Sequence, residues 1–156
     1  MFKKILVAVD GSEHAKLAAE AAGELAKCFG AQLVIMHVMR RSGSGRIPEE
    51  LKELARVEHV EVTEADMLRS AADNIVSGAK VVAQSAGASD IVITIDMGDP
   101  ADQVIAYCKS NDVDLVVMGR RGLGDIASLF LGSVSHKLTQ IAPCACLTLP
   151  YPASAN

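Results

Sequence analysis

The chain has 156 residues, of which half are hydrophobic and only 3% are aromatic, and it carries a formal net charge of −4 at pH 7. This length suits one domain whose core is filled by Val, Ile, Leu, Ala and Met, the usual filling between helices and a parallel sheet. Lys and Arg are scattered, with no basic run or aromatic ladder, which argues against a nucleic-acid partner. The apolar stretch at residues 5–9 is too short for a secretion signal or a membrane span, so we predict a cytoplasmic protein without membrane insertion.

The first forty residues predict a strand, a helix and a second strand. Residues 3–9 are apolar and rich in β-branched side chains, which indicates a strand buried on both faces. A turn (DGS, residues 10–12) leads into an alanine-rich helix that runs to Phe29 and is closed by Gly30. Residues 32–39 (QLVIMHVM) predict a second buried strand, so the two strands should be parallel with a right-handed crossover.

The middle of the chain is harder to assign. Residues 40–46 (RRSGSGR) have the composition of a loop, and Pro48 with the acids after it is typical of a helix start. Residues 57–62 (VEHVEV) alternate like a strand, but we expect a helix or an irregular linker there. Residues 64–86 predict an amphipathic helix, closed by Gly87.

The second half continues the alternation of strands and helices. We predict strands at residues 89–97, 114–118 and 144–149, helices at 100–110 and 133–141, and a frayed tail at 151–156. Five strands alternating with helices predict an α/β fold with an open five-stranded parallel sheet and helices on both faces. No linker divides the chain, so residues 1–150 are expected to form a single doubly wound domain.

Residues 114–133 (DLVVMGRRGLGDIASLFLGS) have the pattern of an anion-binding loop. A strand ends at Gly119, a loop contains Gly122, and a helix begins at Gly132 and Ser133. The N–H groups of a helix N-terminus attract anions, glycines let the main chain approach a ligand, and Ser133 can cap the helix or contact a phosphate. No Walker A sequence is present. Because ligands bind beyond the carboxyl ends of such strands, Asp10 and Gly119 should face one crevice where the strand order reverses.

The spacing Gly119, two residues, Gly122, nine residues, Gly132, Ser133 resembles the G-2x-G-9x-G-(S/T) signature of ATP-binding members of the universal stress protein family. The opening ILVAVDGS, a Gly-x-Pro turn after the third strand and the terminal strand extend the resemblance to the whole chain. The resemblance implies an adenine nucleotide alpha hydrolase-like sheet with strand order 3-2-1-4-5. It also implies that the chain binds ATP.

Carried over by position, the resemblance assigns two halves of an ATP site. Ala8, Val9 and Val38 would lie beside the base, and Asp10 would accept hydroxyl donors of the nucleoside. The ribose and phosphates would be bordered by Met118, Gly119, Gly122, Gly132, Ser133, Val134 and Ser135. Arg120 and Arg121 could each pair with a phosphate in a bidentate way, and Arg121 is the one we include in the site.

The residues indicate binding rather than catalysis. Ser133 has no assigned histidine partner, and no pair of carboxylates is placed to activate a water. We therefore predict an ATP-binding regulatory or stress-response module with slow or no hydrolysis. The alternative is an adenylating or ATP-hydrolysing enzyme of the same class, although the second phosphate motif of adenylating enzymes is missing. A flavodoxin-like redox module is disfavoured by the scarcity of aromatic side chains. Mg²⁺ bridging the phosphates would need only one or two protein oxygens, so the sequence leaves it open.

Partners and isolated reactive residues complete the predictions. The last strand, residues 144–149 (CACLTL), is apolar and expected at a sheet edge, and the family resemblance implies a homodimer through it. Residues 40–62 would contact an unknown protein partner.

His37 is predicted to be a core or edge histidine. The cysteines, Cys28, Cys108, Cys144 and Cys146, lack metal-site or C-x-x-C spacing, and we predict small buried hydrophobes in a reducing cytosol.

Overall fold

A computed structural model describes residues 1–40, 53, 63–123 and 131–150 of the chain. Within these ranges five parallel strands form one sheet in the order β3-β2-β1-β4-β5. The strands are β1 (Lys4–Ala8), β2 (Gln32–Met39), β3 (Ile91–Met97), β4 (Leu115–Gly119) and β5 (Ala145–Leu149). This confirms the predicted parallel sheet and its strand order, with β1 at the centre and the order reversing between β1 and β4.

The described helices begin and end at residues that suit helix termini. They are α1 (Glu13–Phe29), α2 (Glu64–Ser85), α3 (Pro100–Asn111) and α4 (Ser133–Ile141). The hydroxyl of Ser12 accepts the N–H of Ala15 at 3.1 Å, and Gly30 ends α1 with φ 62. A reciprocal Thr63–Asp66 capping box begins α2. These local signals place the helices close to where the sequence predicts them.

Helices cover both faces of the sheet. One face of β1 packs with α1 and α2, and the other face packs with α3 and α4. Ile5, Leu6 and Val7 are fully buried, as expected for a central strand covered on both sides. The layer of α1 and α2 is close-packed, because a Cβ on Gly23 would lie 2.6 Å from the carbonyl oxygen of Ala83.

Several predicted boundaries differ from the observed ones. Residues 3, 9, 89, 90, 114 and 144 flank strands instead of belonging to them, while Gly119 is part of β4. Helix α2 ends at Ser85 with Ala86 as its cap, and α3 extends to Asn111. Asp114 directly precedes β4, and its side chain accepts the backbone N–H groups of Lys3 and Lys4, which joins the amino ends of β1 and β4.

The interpretations of residues 41–52, 57–62 and 151–156 fall outside the described residues. The prediction of buried cysteines holds for Cys108, which lies in the core, but it is wrong for Cys28, which is exposed, and Cys144 and Cys146 are only partly buried. In the described part of the chain, no helix has the length and apolar character needed to span a bilayer.

Candidate functional site

A cavity of about 460 Å³ opens at the carboxyl edge of the sheet, above the ends of β1, β2 and β4. Its position is the one predicted from the reversal of strand order. The predicted site residues that line this cavity are Ala8, Val9, Asp10, Val38, Met118, Gly119, Arg121, Gly122, Ser133, Val134 and Ser135. Gly132 is not part of the lining; it is the buried N-cap of α4. One crevice therefore brings together residues that are up to 127 positions apart in sequence, from Ala8 to Ser135.

Asp10 connects the end of β1 to the glycine loop. One carboxylate oxygen, Oδ1, accepts the backbone N–H of Ser12 at 3.0 Å, which closes the turn into α1. The other, Oδ2, accepts the backbone N–H of Leu123, also at 3.0 Å. Each carboxylate oxygen has a second lone pair, so Asp10 can hold the loop and still accept a hydroxyl donor from a ligand.

Packing within the protein requires a glycine at position 119. A Cβ built at this position would lie 2.6 Å from the Cβ of His14 and 3.0 Å from its carbonyl carbon. The end of β4 therefore passes directly against the first turn of α1. We expected this glycine to make room for a ligand, and that reason is wrong. The close neighbour is a helix, although Gly119 still lines the cavity.

The two serines at the start of α4 have different surroundings. Gly132 is the N-cap and supplies no side-chain cap, so the predicted capping role of Ser133 is wrong; Ser133 is the first helical residue and is exposed. Ser135 is 3% exposed, and its hydroxyl donates to the carbonyl of Arg120 at 2.8 Å, with the carbonyl of Gly132 at 3.0 Å. Ser135 thus fixes the loop to the helix, whereas Ser133 presents its hydroxyl at the surface.

Arg120 joins three elements through its backbone. Its N–H donates to the carbonyl of Leu149 at the end of β5, and its carbonyl accepts the N–H of Gly132, both at 2.8 Å. The same carbonyl accepts the Ser135 hydroxyl. The start of the glycine loop is therefore bonded both to the edge strand and to the start of α4.

Sequence reasoning missed part of the cavity wall. His37, predicted as a core or edge residue, lines the cavity, and its Nδ1 lies 2.7 Å from the carbonyl oxygen of Val9. Because a carbonyl only accepts, Nδ1 carries the proton, which leaves Nε2 as the acceptor of the neutral ring. Further lining comes from α2, α3 and the end of β2: Leu68, Ala71, Ala72, Pro100, Val104, Met39 and Arg40. The position of His37 at the end of β2 could have indicated that this residue lines the cavity. Which faces of the helices line the cavity depends on tertiary packing.

The lining combines apolar walls with a few charged groups. Arg40 and Arg121 supply positive charge, and Asp10 is the only carboxylate among the described lining residues. In the described ranges no group of three His, Cys, Asp or Glu side chains is arranged to hold a metal ion. This set of groups suits an anionic ligand with an apolar, planar part, and it offers no pair of carboxylates for acid–base chemistry.

Comparison with known proteins agrees with this architecture. The model of the universal stress protein family matches residues 1–150. The chain belongs to this family. It is 34% identical over 155 residues to universal stress protein YxiE of Bacillus subtilis, covering 94% of this chain and 98% of that protein. It is 36% identical over 151 residues to a Thermus aquaticus universal stress protein encoded in the QAH/OAS sulfhydrylase 3′ region, with the same coverage of 94% and 98%.

Solved structures share the fold of this universal stress protein. Hypothetical protein MJ0577 superposes with a TM-score of 0.77 at 22% identity, covering 99% of both chains. A universal stress protein in complex with cAMP has a TM-score of 0.69 at 24% identity, covering 95% and 97%. The protein from Archaeoglobus fulgidus in complex with dAMP has a TM-score of 0.66 at 20% identity, covering 94% and 97%. At these identities the likeness shows the α/β fold.

Proposed function

We propose that this universal stress protein binds an adenine nucleotide, ATP in the first place, and acts as a regulatory module with slow or no hydrolysis. The observation that carries the proposal is the hydrogen bond between Asp10 Oδ2 and the N–H of Leu123, which joins the end of β1 to the glycine loop. The cavity that both residues line has a volume of about 460 Å³, within the range of ligand pockets. The solved relatives that hold cAMP and dAMP support the ligand class.

The cavity offers separate environments for the two ends of a nucleotide. Val38, Leu68 and Val104 form an apolar wall suited to the base. Arg121 and the first N–H groups of α4, at Ser133 and Val134, are suited to the phosphates, because a helix N-terminus carries partial positive charge. Asp10 lines the same cavity, and its carboxylate is suited to the ribose hydroxyl groups.

The small number of acid–base groups in the same lining supports slow or absent hydrolysis. Water attack on a phosphate needs a group that orients or deprotonates the water, together with stabilisation of the leaving oxygen. The acceptors that remain are the second lone pairs of Asp10 and Nε2 of His37, and the described lining holds no second carboxylate to assist either of them. The alternative, an adenylating or ATP-hydrolysing enzyme, would use Nε2 of His37 or the carboxylate of Asp10 as its base.

A direct experiment separates the possibilities. Nucleotide released from the purified protein is identified by mass spectrometry, and the emptied protein is titrated with ATP, AMP, cAMP, adenosine and GTP, with and without Mg²⁺. We expect ATP to bind more tightly than adenosine and GTP. Absence of affinity for every adenine compound would refute the proposal. Phosphate or pyrophosphate release at a rate that matches nucleotide exchange would favour the enzymatic alternative.

We also propose a homodimer through β5, whose only neighbour in the described sheet is β4. A strand at a sheet edge can pair with a second copy about a two-fold axis. The opposite edge, β3, competes as a contact surface because Val92, Ile93 and Met97 are exposed there. Hydrogen exchange measured across a dilution series distinguishes the edges: dimerisation through β5 protects residues 145–149 and leaves 91–97 unchanged.

A further inference from the structure

The side chain of His37 lies on the face of the sheet that α1 and α2 cover. Side chains along a strand alternate between the two faces, and Leu33 and Ile35 of the same strand belong to the core on that side. Nδ1 of His37 lies 2.7 Å from the carbonyl oxygen of Val9, the residue that follows β1. The hydrogen bond between them fixes the orientation of the ring relative to the end of β1.

The second nitrogen of the ring, Nε2, is open to a ligand. It has no hydrogen-bond partner in the part of the chain that the structure describes, and it is not one of the buried polar atoms there that lack a partner. His37 is half-buried and lines the cavity. Because the carbonyl of Val9 only accepts, Nδ1 holds the proton of the neutral ring, and Nε2 offers the cavity an acceptor.

The surroundings of His37 suit the base of a nucleotide better than its phosphates. Val38, the next residue, lines the cavity at the end of β2. Helix α2 contributes only apolar side chains to the described lining: Leu68, Ala71 and Ala72. Arg121 and the first turn of α4 follow β4 and line the cavity on the other side of β1. A base beside His37 would therefore meet apolar walls and one hydrogen-bond acceptor.

We propose that His37 selects the base: Nε2 accepts a hydrogen bond from the exocyclic amino group of adenine and disfavours purines that carry an oxo group in its place. The amino group is a donor, whereas the oxo group of hypoxanthine or guanine is an acceptor. An oxo group facing Nε2 would bring two acceptors together and leave both without a donor. The inference rests on the proposed nucleotide binding and adds the residue that discriminates between bases.

Protonation of the ring would weaken this selection. Imidazole is the side chain whose charge changes between about pH 5 and 8. Since Nδ1 already holds a proton and donates it to Val9, the added proton is taken up by Nε2. Nε2 then becomes a donor, which suits an oxo group and no longer suits an amino group. The preference for adenine over hypoxanthine should therefore decrease as the pH falls.

The other charged groups near the cavity act on both nucleotides alike. On β3 the neighbour of His37 is the apolar Ile95, and His14 lies on the first turn of α1, against Gly119 of β4. The charged side chains that share the described lining with His37 are Asp10, Arg40 and Arg121. Their effects on the triphosphate and the ribose cancel in the ratio of two affinities, because ATP and inosine triphosphate differ only in the base.

Competition titrations of the full-length wild-type protein with ATP and inosine triphosphate test the proposal. At about pH 8 we expect ATP to bind about tenfold more tightly, the effect of one hydrogen bond replaced by two facing acceptors. At about pH 5.5 the two affinities should approach each other. A ratio near equality at the higher pH, or a ratio that does not change with pH, overturns the role of His37.

The variant His37→Asn separates the two nitrogens of the ring. The Asn amide can donate to the carbonyl of Val9 as Nδ1 does, but it has no atom in the place of Nε2 and does not titrate. We expect its affinities for ATP and inosine triphosphate to be similar at both pH values. His136→Asn is the matched control, because His136 is exposed on α4 and is not part of the lining, so this variant should behave like wild type.

The outcomes distinguish this inference from the proposed function on which it rests. Circular dichroism establishes that each variant is folded, and the pH dependence of the wild-type ratio decides the matter if His37→Asn is not. A folded His37→Asn protein that keeps the wild-type ratio and its pH dependence overturns the inference and leaves nucleotide binding intact. Wild-type protein with no affinity for either nucleotide refutes the proposed function itself.

Discussion

Asp10 and Leu123 are 113 positions apart in sequence, yet the carboxylate of the first accepts the backbone N–H of the second at 3.0 Å. The bond crosses the point where the strand order reverses, and it fixes the glycine loop relative to β1. The same carboxylate closes the turn before α1 through Ser12. One side chain therefore bonds both to the glycine loop and to the turn before α1, which both border the cavity.

Replacing Asp10 should weaken both hydrogen bonds and, with them, ATP binding. In Asp10→Ala both backbone N–H groups lose their acceptor, and hydrogen bonds to charged groups contribute about 1.5–3 kcal/mol each. We expect ATP affinity to fall at least about tenfold, the equivalent of ~1.4 kcal/mol, measured by calorimetric titration. Asp10→Asn retains one acceptor oxygen and should lie between wild type and Asp10→Ala. Equal affinity in all three proteins would contradict the role of the Asp10–Leu123 bond.

Alanine substitutions at Gly119 and Gly78 should change the stability of the fold in opposite directions. In Gly119→Ala the new Cβ meets the Cβ of His14 at 2.6 Å, and such overpacking costs about 1–3 kcal/mol. Gly78 is an exposed position inside α2 where a Cβ meets nothing within 4 Å, so Gly78→Ala should stabilise by about 0.5–1 kcal/mol through its helix propensity. Urea unfolding measures both. A Gly119→Ala protein as stable as wild type would refute the close contact with α1.

Ser133 and Ser135 should respond in opposite ways. Ser135→Ala leaves the carbonyls of Arg120 and Gly132 without the hydroxyl and should lower the free energy of unfolding by about 0.5–1.5 kcal/mol. Ser133→Ala removes an exposed hydroxyl at the start of α4 and should weaken ATP binding without changing stability. Thermal unfolding and ATP titration of both variants test this contrast. The reverse pattern would exchange the roles assigned to the two serines.

Arg121 should distinguish ATP from adenosine. If its guanidinium pairs with a phosphate, Arg121→Ala should lower ATP affinity about tenfold, a loss of ~1.4 kcal/mol, and leave adenosine affinity unchanged. Arg69→Ala is the control, since Arg69 is an exposed cation on α2 that pairs with Asp73. Fluorescence competition with both ligands gives the ratio. An equal loss for ATP and adenosine would place Arg121 away from the phosphates.

The hydrogen bonds of Asp114 should make the free energy of unfolding depend on pH in the acid range. Its Oδ2 accepts the backbone N–H of Lys3 at 2.7 Å and of Lys4 at 2.9 Å, and these bonds lower the pKa of Asp114 from its ordinary value of 3.8. A carboxyl whose pKa is lower in the folded state contributes stability above the unfolded pKa and loses it as the pH falls through the folded pKa. In Asp114→Asn the unfolding free energy should therefore fall less steeply with pH below about 4 than in wild type.

Denaturant unfolding across the acid range checks the Asp114 prediction. Glu20→Gln is the matched control, because it removes the same charge from the exposed side of α1. Its pH dependence should follow wild type. An Asp114→Asn curve that also follows wild type would show that the bonds to Lys3 and Lys4 carry no acid-dependent stability.

The sequence predicts the features that rest on local pattern. Runs of apolar residues and turn glycines identified the strands, and the spacing from Gly119 to Ser133 located the loop at the carboxyl edge. Contacts between distant segments could not be predicted. Helix periodicity does not say that Leu68 would reach the cavity, and nothing local to Gly119 indicates His14 as its neighbour.

The backbone of Arg120 has a consequence for two subunits taken together. Its N–H is bonded to the carbonyl of Leu149 on β5, and its carbonyl is bonded to the N-cap of α4. In a dimer paired through β5, the phosphate end of each cavity would thus be one hydrogen bond away from the shared edge. A nucleotide that changed this hydrogen bond would couple nucleotide binding to dimerisation, and by thermodynamic reciprocity dimerisation would change the affinity for the nucleotide by the same factor. Such a protein would report nucleotide level as a change in its own assembly.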